Sequence, residues 1–131
     1  MPHAAAEIAR KGLGQRTTAV AGDFFESVPQ ADLYLLKFIL HDWDDERAIT
    51  ILRRCREAMT PGGRVAIVEM VVGELSEPGL GALIDMNMLA ASPGQERSLD
   101  EYDALLTAAG LRRTAVRPAS SSQSVIEAVA A

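Results

Sequence analysis

His41 and the residues around it carry the densest chemical content of the sequence: Leu36-Lys37-Phe38-Ile39-Leu40-His41-Asp42-Trp43-Asp44-Asp45-Glu46. A histidine accepts or releases a proton near neutral pH, so it is the natural general base in such a cluster. The same histidine also fits a structural role, capping the helix that follows. Glu69 lies 28 residues further on, at the end of an apolar stretch. A carboxylate there either faces water or orients His41 and stabilises its charged form, as the third member of a triad does for its base. Glu96, in a loop, reads as a solvated acid. Asp23 either binds an amine or hydroxyl of a ligand or serves its own turn. Lys37 interrupts an apolar run, and such a lysine must be paired or reach out to water. Trp43, Met86 and Met88 either line an apolar pocket or fill core.

The elements that must position these groups are legible in the hydrophobic pattern. Ala4 to Arg10 has helix-forming composition and ends at Gly12 and Gly14. Thr17 to Val20 is β-branched and predicts a short strand running into the Gly22-Asp23-Phe24-Phe25 loop. Asp32 to Leu40 is apolar on both sides, which predicts a parallel strand covered by helices on both faces. Ala48, Ile51, Leu52, Cys55, Ala58 and Met59 form a helical stripe within Asp44 to Thr60, with acids in the first turn and arginines in the later turns. Pro61-Gly62-Gly63 ends that helix, and Arg64 to Val72 is a second buried strand. Leu80 to Ala91 predicts a helix, Ser92 to Gln95 a loop, and Ser98-Leu99-Asp100-Glu101 a capping box that opens a helix closed by Gly110. Thr114 to Arg117 and Ser124 to Val129 predict an antiparallel pair around a polar turn. Alternating strands and helices without a linker or repeat give one α/β layer structure, and His41 falls at the carboxyl rim of its sheet, where open α/β sheets bind ligands.

Composition excludes several classes. With 131 residues, 48% hydrophobic and 24% charged, the chain has the makeup of a globular domain. A net charge of −5 without a basic run provides no footprint for DNA or RNA. A single cysteine, Cys55, allows neither an intramolecular disulfide nor a cysteine zinc site, in keeping with a cytoplasmic protein. No apolar run is long enough to span a bilayer, and the first residues lack the layout of a signal peptide.

Together, Gly22-Asp23-Phe24-Phe25, Leu36-Lys37, His41-Asp42-Trp43-Asp44-Asp45-Glu46, Pro61-Gly62-Gly63 and Val68-Glu69 resemble the plant caffeic acid type O-methyltransferases and their bacterial relatives in secondary metabolism, from about His3 onward. The resemblance implies a Rossmann-like class I methyltransferase sheet, S-adenosylmethionine as cofactor without a metal, and a hydroxylated small molecule as acceptor. It makes His41 the general base and Glu69 and Glu96 the carboxylates that flank it. It places Asp23 and Phe24 at the adenine end of the cofactor and Lys37 at its methionine end. Asp42, Asp85, Met88 and Ser92 fall where the substrate pocket lies in that family.

The family's glycine-rich loop and ribose-binding acid are not found in these residues. The chain therefore reads as a partial catalytic domain, 1–131, of a protein that is a homodimer when complete. In the family's strand order, 3-2-1-4-5-7-6, the first two strands are missing here, so the strand at Leu33 to Leu40 is expected to be an open apolar edge. The isolated chain is expected to be unstable, to self-associate or to dock on a partner. Two other readings follow: a non-catalytic interaction module, and half of a dehydrogenase, the latter opposed by the absence of a dinucleotide fingerprint.

Overall fold

The computed structural model describes residues 2–72, 96–120 and 122–131. Helix α1 (Pro2–Arg10) is followed by β1 (Ala31–Lys37), a 3₁₀ turn at Leu40–Asp42, α2 (Asp45–Ala58), β2 (Met59–Glu69), the two-residue strands β3 (Val71–Val72) and β4 (Arg97–Ser98), α3 (Leu99–Ala108), β5 (Leu111–Ser120) and β6 (Gln123–Ala130). Four strands form one sheet in the order β1-β2-β6-β5, and β3 pairs with β4 in a second. The β1 and β2 strands run parallel, with Lys37 opposite Val68, so both carboxyl ends open on one rim. Strand β6 then inserts antiparallel between β2 and β5. This is the order 4-5-7-6 within the series expected from the resemblance.

The core lies on one face of this sheet. Ala48, Ile51, Leu52 and Cys55 of α2 and Leu99, Tyr102, Leu105 and Leu106 of α3 pack with Val65, Ile67, Ile126 and Ala128. Burial pushes the Cys55 thiol up to about 11, so it behaves as a small apolar core group rather than a nucleophile. No helix of the described residues is long and apolar enough to cross a membrane.

Local signals place the helix ends. Asp44 caps α2, its side chain accepting from the Arg47 N–H at 2.9 Å. Ser98 and Glu101 form the reciprocal capping box of α3, and Gly110 follows that helix at φ +82°. Ser98→Ala is expected to cost about 0.5–2 kcal/mol, read as a lowered urea midpoint with an unchanged denaturant slope; an unchanged midpoint would leave the cap without energetic weight.

Three expectations need correction. Thr17 to Val20 forms no strand, because the residues around it present no ladder to receive its backbone groups. The second buried strand begins at Met59 rather than Arg64 and breaks at Met70, with Pro61-Gly62-Gly63 absorbed as an irregular start. Gly63 is required there, since a Cβ would overlap the Met59 side chain and the Thr60 carbonyl. Third, β1 is not covered on both faces: Tyr34 and Leu36 pack on the core, while Leu33 and Leu35 remain 55% and 64% exposed. The Leu80 to Ala91 helix and the Ser92 to Gln95 loop lie outside the described residues.

Candidate functional site

The rim where β1 and β2 end gathers the chemistry. Phe38 leaves β1 in the left-handed region at φ +53°, while its N–H still donates to Val68 O at 3.1 Å. An aromatic residue in that conformation costs on the order of 1–3 kcal/mol and persists only where its surroundings enforce it. The reversal turns the chain into the 3₁₀ segment and sets His41 against Glu69, the last residue of β2. His41 Nδ1 lies 2.8 Å from Glu69 Oε2, and the His41 backbone N–H donates to Glu69 Oε1 at 3.3 Å.

Glu96 completes the group through the second sheet. Strand β4 lies beside β3 with Arg97 opposite Val71, which draws the preceding Glu96 in until its Oε1 is 3.8 Å from His41 Nδ1. The Glu69 and Glu96 side chains are 0% and 3% exposed and that of His41 16%. Glu96 is therefore a buried acid and not the solvated loop residue that its sequence context alone suggests. One imidazole nitrogen and two carboxylate oxygens within 4.8 Å of one another also form a donor set for a divalent cation, although Nδ1 is already engaged by Glu69.

With Nδ1 turned to Glu69, Nε2 faces the outer side of the rim, where the exposed Asp42 places Oδ1 at 3.3 Å. Burial opposes the charged imidazole, but the hydrogen bond and charge of Glu69, with the charges of Glu96 and Asp42, outweigh it and raise the His41 pKa above 6.5. Burial likewise raises Glu69, against the hydrogen bond and charge of His41 and the charge of Arg97. With the ring proton on Nδ1 toward Glu69, Nε2 is the nitrogen left to exchange a proton at the rim.

Beside this cluster, residues 20–25, 27–29 and Trp43 enclose an open groove of about 860 Å³. Phe25 meets the Trp43 ring edge to face at 4.8 Å and Phe24 at 4.9 Å. Asp23 uses Oδ1 to accept the Phe25 N–H at 2.9 Å, a local turn that presents the carboxylate at the groove wall. Arg54 holds the loop by donating to Phe25 O at 2.9 Å. Aromatic walls with a carboxylate acceptor fit a purine ring and its exocyclic amine. Lys37 does not line this groove; it is exposed at the end of β1, with Nζ 5.9 Å from the Phe38 ring centre. Asp85, Met88 and Ser92 lie outside the described residues.

Sequence reasoning missed Arg97. Its side chain is fully buried and donates to Asp45 Oδ1 at 3.0 Å, Leu40 O at 3.0 Å and Trp43 O at 2.8 Å. Only its place directly after Glu96 gave a signal, and nothing in the sequence marks that arginine as internal.

Comparison with known proteins identifies the family. The O-methyltransferase domain family matches residues 1–112. The phenazine O-methyltransferase of Lysobacter antibioticus is 45% identical over 122 residues, covering 92% of this chain and 36% of that protein. The mitomycin 7-O-methyltransferase structure superposes with a TM-score of 0.90 at 35% identity, over 98% of this chain and 38% of that one. An O-methyltransferase of neocarzinostatin biosynthesis, solved with S-adenosylmethionine and 2-hydroxy-5-methyl naphthoic acid, gives 0.87 at 40% identity, again over 98% and 38%. The chain thus spans little more than a third of the length of these relatives. By the match over most of its own residues, the chain belongs to the O-methyltransferase domain family.

Proposed function

We propose that the protein transfers the methyl group of S-adenosylmethionine to a hydroxyl of an aromatic or polyketide-like small molecule, with His41 as the general base. The observation that carries this reading is the His41 Nδ1 to Glu69 Oε2 contact of 2.8 Å, which leaves Nε2 directed away from the buried carboxylates. When bound, S-adenosylmethionine supplies a methyl carbon already activated by a sulfonium, so the chain has to align the acceptor and remove its proton. His41 Nε2 takes the hydroxyl proton, and Glu69 with Glu96 stabilises the imidazolium that results. Asp23 and the ring of Phe24 hold the adenine end, Lys37 the methionine end, and Asp42 meets the acceptor beside Nε2. Asp85, Met88 and Ser92 are proposed to shape the acceptor pocket. Two of the named relatives are a phenazine and a mitomycin O-methyltransferase, and the third is solved with a hydroxylated naphthoic acid, which supports a hydroxylated ring system as acceptor class.

Calorimetric titration with S-adenosylhomocysteine tests the cofactor half of this reading. Binding is expected, and Phe24→Ala is expected to weaken it by roughly 5–30-fold, the weight of about 1–2 kcal/mol of lost ring contact. No binding by the folded whole protein, or full affinity in that variant, would remove the adenine assignment.

A further inference from the structure

We propose that Arg97 is a positioning residue for His41: its buried guanidinium fastens the turn that carries the base to the strand that follows Glu96. An arginine is almost never fully enclosed unless its donors are satisfied, and here all three nitrogens of the fork are used. Two of the three partners are backbone carbonyls, Leu40 O and Trp43 O, which flank His41 at one and two residues. Leu40 O also accepts the Trp43 N–H at 3.2 Å within the 3₁₀ turn, so Arg97 reinforces the single turn on which the imidazole is mounted. The third partner, Asp45 at the start of α2, is 62% exposed, and its ion pair is correspondingly screened. The carbonyl bonds therefore carry the clamp.

The strand pairing makes that clamp relevant to the base. Arg97 lies opposite Val71, two residues beyond Glu69, and directly follows Glu96. Glu69, Glu96, Arg97 and the His41 turn thus form one closed loop of fixed links, and a slip of the turn would break the Nδ1 contact first. The charges agree with this role. His41 is faced by Glu69 from β2, Glu96 ahead of β4 and Asp42 of its own turn. Arg97 is the cation behind these carboxylates, with the buried Tyr102 hydroxyl from α3 close to Arg97, Glu69 and Glu96, and Asp45 on α2 beyond. Lys37 stands at the end of β1 beside Phe38, whose ring centre is 5.5 Å from that of His41.

The test compares Arg97→Gln and Arg97→Lys in the whole protein by thermal melting, S-adenosylhomocysteine affinity, methyl-transfer turnover and NMR titration of the His41 ring. The turnover arm rests on the methyl-transfer reading; the titration does not. In both variants kcat is expected to fall roughly 10–100-fold, the usual cost of losing a group that orients a functional side chain, with cofactor affinity kept. The lysine variant, which keeps the cation but loses the carbonyl bonds, is expected to move the His41 titration to lower pH as the contact with Glu69, the strongest group that raises His41, loosens; in the glutamine variant the lost cation offsets part of that shift. A purely structural arginine would lower melting without moving that titration. Folded variants with wild-type turnover and wild-type titration overturn the proposal. If the glutamine variant does not fold, the lysine variant decides, because one ammonium cannot span Leu40, Trp43 and Asp45 together; unchanged turnover and an unchanged His41 resonance then overturn it. Failure of both to fold reduces Arg97 to a stability residue and equally overturns it. Absence of turnover in the wild type sinks the methyl-transfer reading while the His41 titration still judges Arg97.

Discussion

Replacing His41 by alanine is expected to lower kcat by about 10²–10⁴-fold, the usual contribution of a positioned general base, while the affinity for S-adenosylhomocysteine stays near wild type. The separation follows from geometry. The groove proposed for the adenine end is walled by residues 20–25, 27–29 and Trp43, and His41 is not among its lining side chains. The truncation does have a structural cost, because Glu69 is fully enclosed and would lose its principal partner. Breaking a buried pair by removing one side costs on the order of 3–5 kcal/mol. The Glu69 carboxylate answers part of this by taking up a proton. His41→Gln, whose amide can still donate to Glu69, separates the two effects: stability should return toward wild type while turnover stays low. Steady-state turnover with a hydroxylated aromatic acceptor is the measurement. Unchanged kcat in either variant removes His41 from the mechanism.

Glu69→Gln is the second large effect, and its signature lies in the pH profile. The base must be neutral to accept a proton, so wild-type turnover should rise with pH through an inflection above 6.5 and then level off. Glu69 is the strongest of the groups that raise His41. Without its charge, burial has greater weight and the inflection should move to lower pH. The plateau should nevertheless fall, on the order of 10²–10⁴-fold, since a glutamine amide offers both a donor and an acceptor to Nδ1 and no longer selects the tautomer that leaves Nε2 free. A plateau that stays at the wild-type level, or an inflection that moves upward, would contradict the assigned roles. The same linkage acts on stability. Because the folded pKa of His41 is raised, its contribution is fully present below 6.5 and is lost as pH rises through the folded value. Glu69, also raised, acts in the same sense from its own ordinary range upward.

The sequence by itself determined the parts of this protein that depend on neighbours along the chain. The stripe of Ala48, Ile51, Leu52 and Cys55 defined α2, Asp44 and the Ser98 and Glu101 box defined helix starts, and the apolar runs defined β1 and β2. Periodicity, capping and side-chain branching act over a few residues, so they can be read without a fold. His41 and Glu69 were legible together because each sits just after or at the end of a strand, and two parallel neighbours must end on the same rim. The tertiary structure alone decided what depends on pairing across distance. Thr17 to Val20 has strand composition, yet a strand exists only where another backbone accepts its hydrogen bonds. From its own context Glu96 reads as a loop acid, and only the family resemblance set it beside His41; the pairing of Val71 with Arg97 is what draws it there. The burial of Arg97, the exposure of Leu33 and Leu35 and the left-handed turn at Phe38 have the same origin: each is set by which distant surfaces meet, and residue type records that only indirectly.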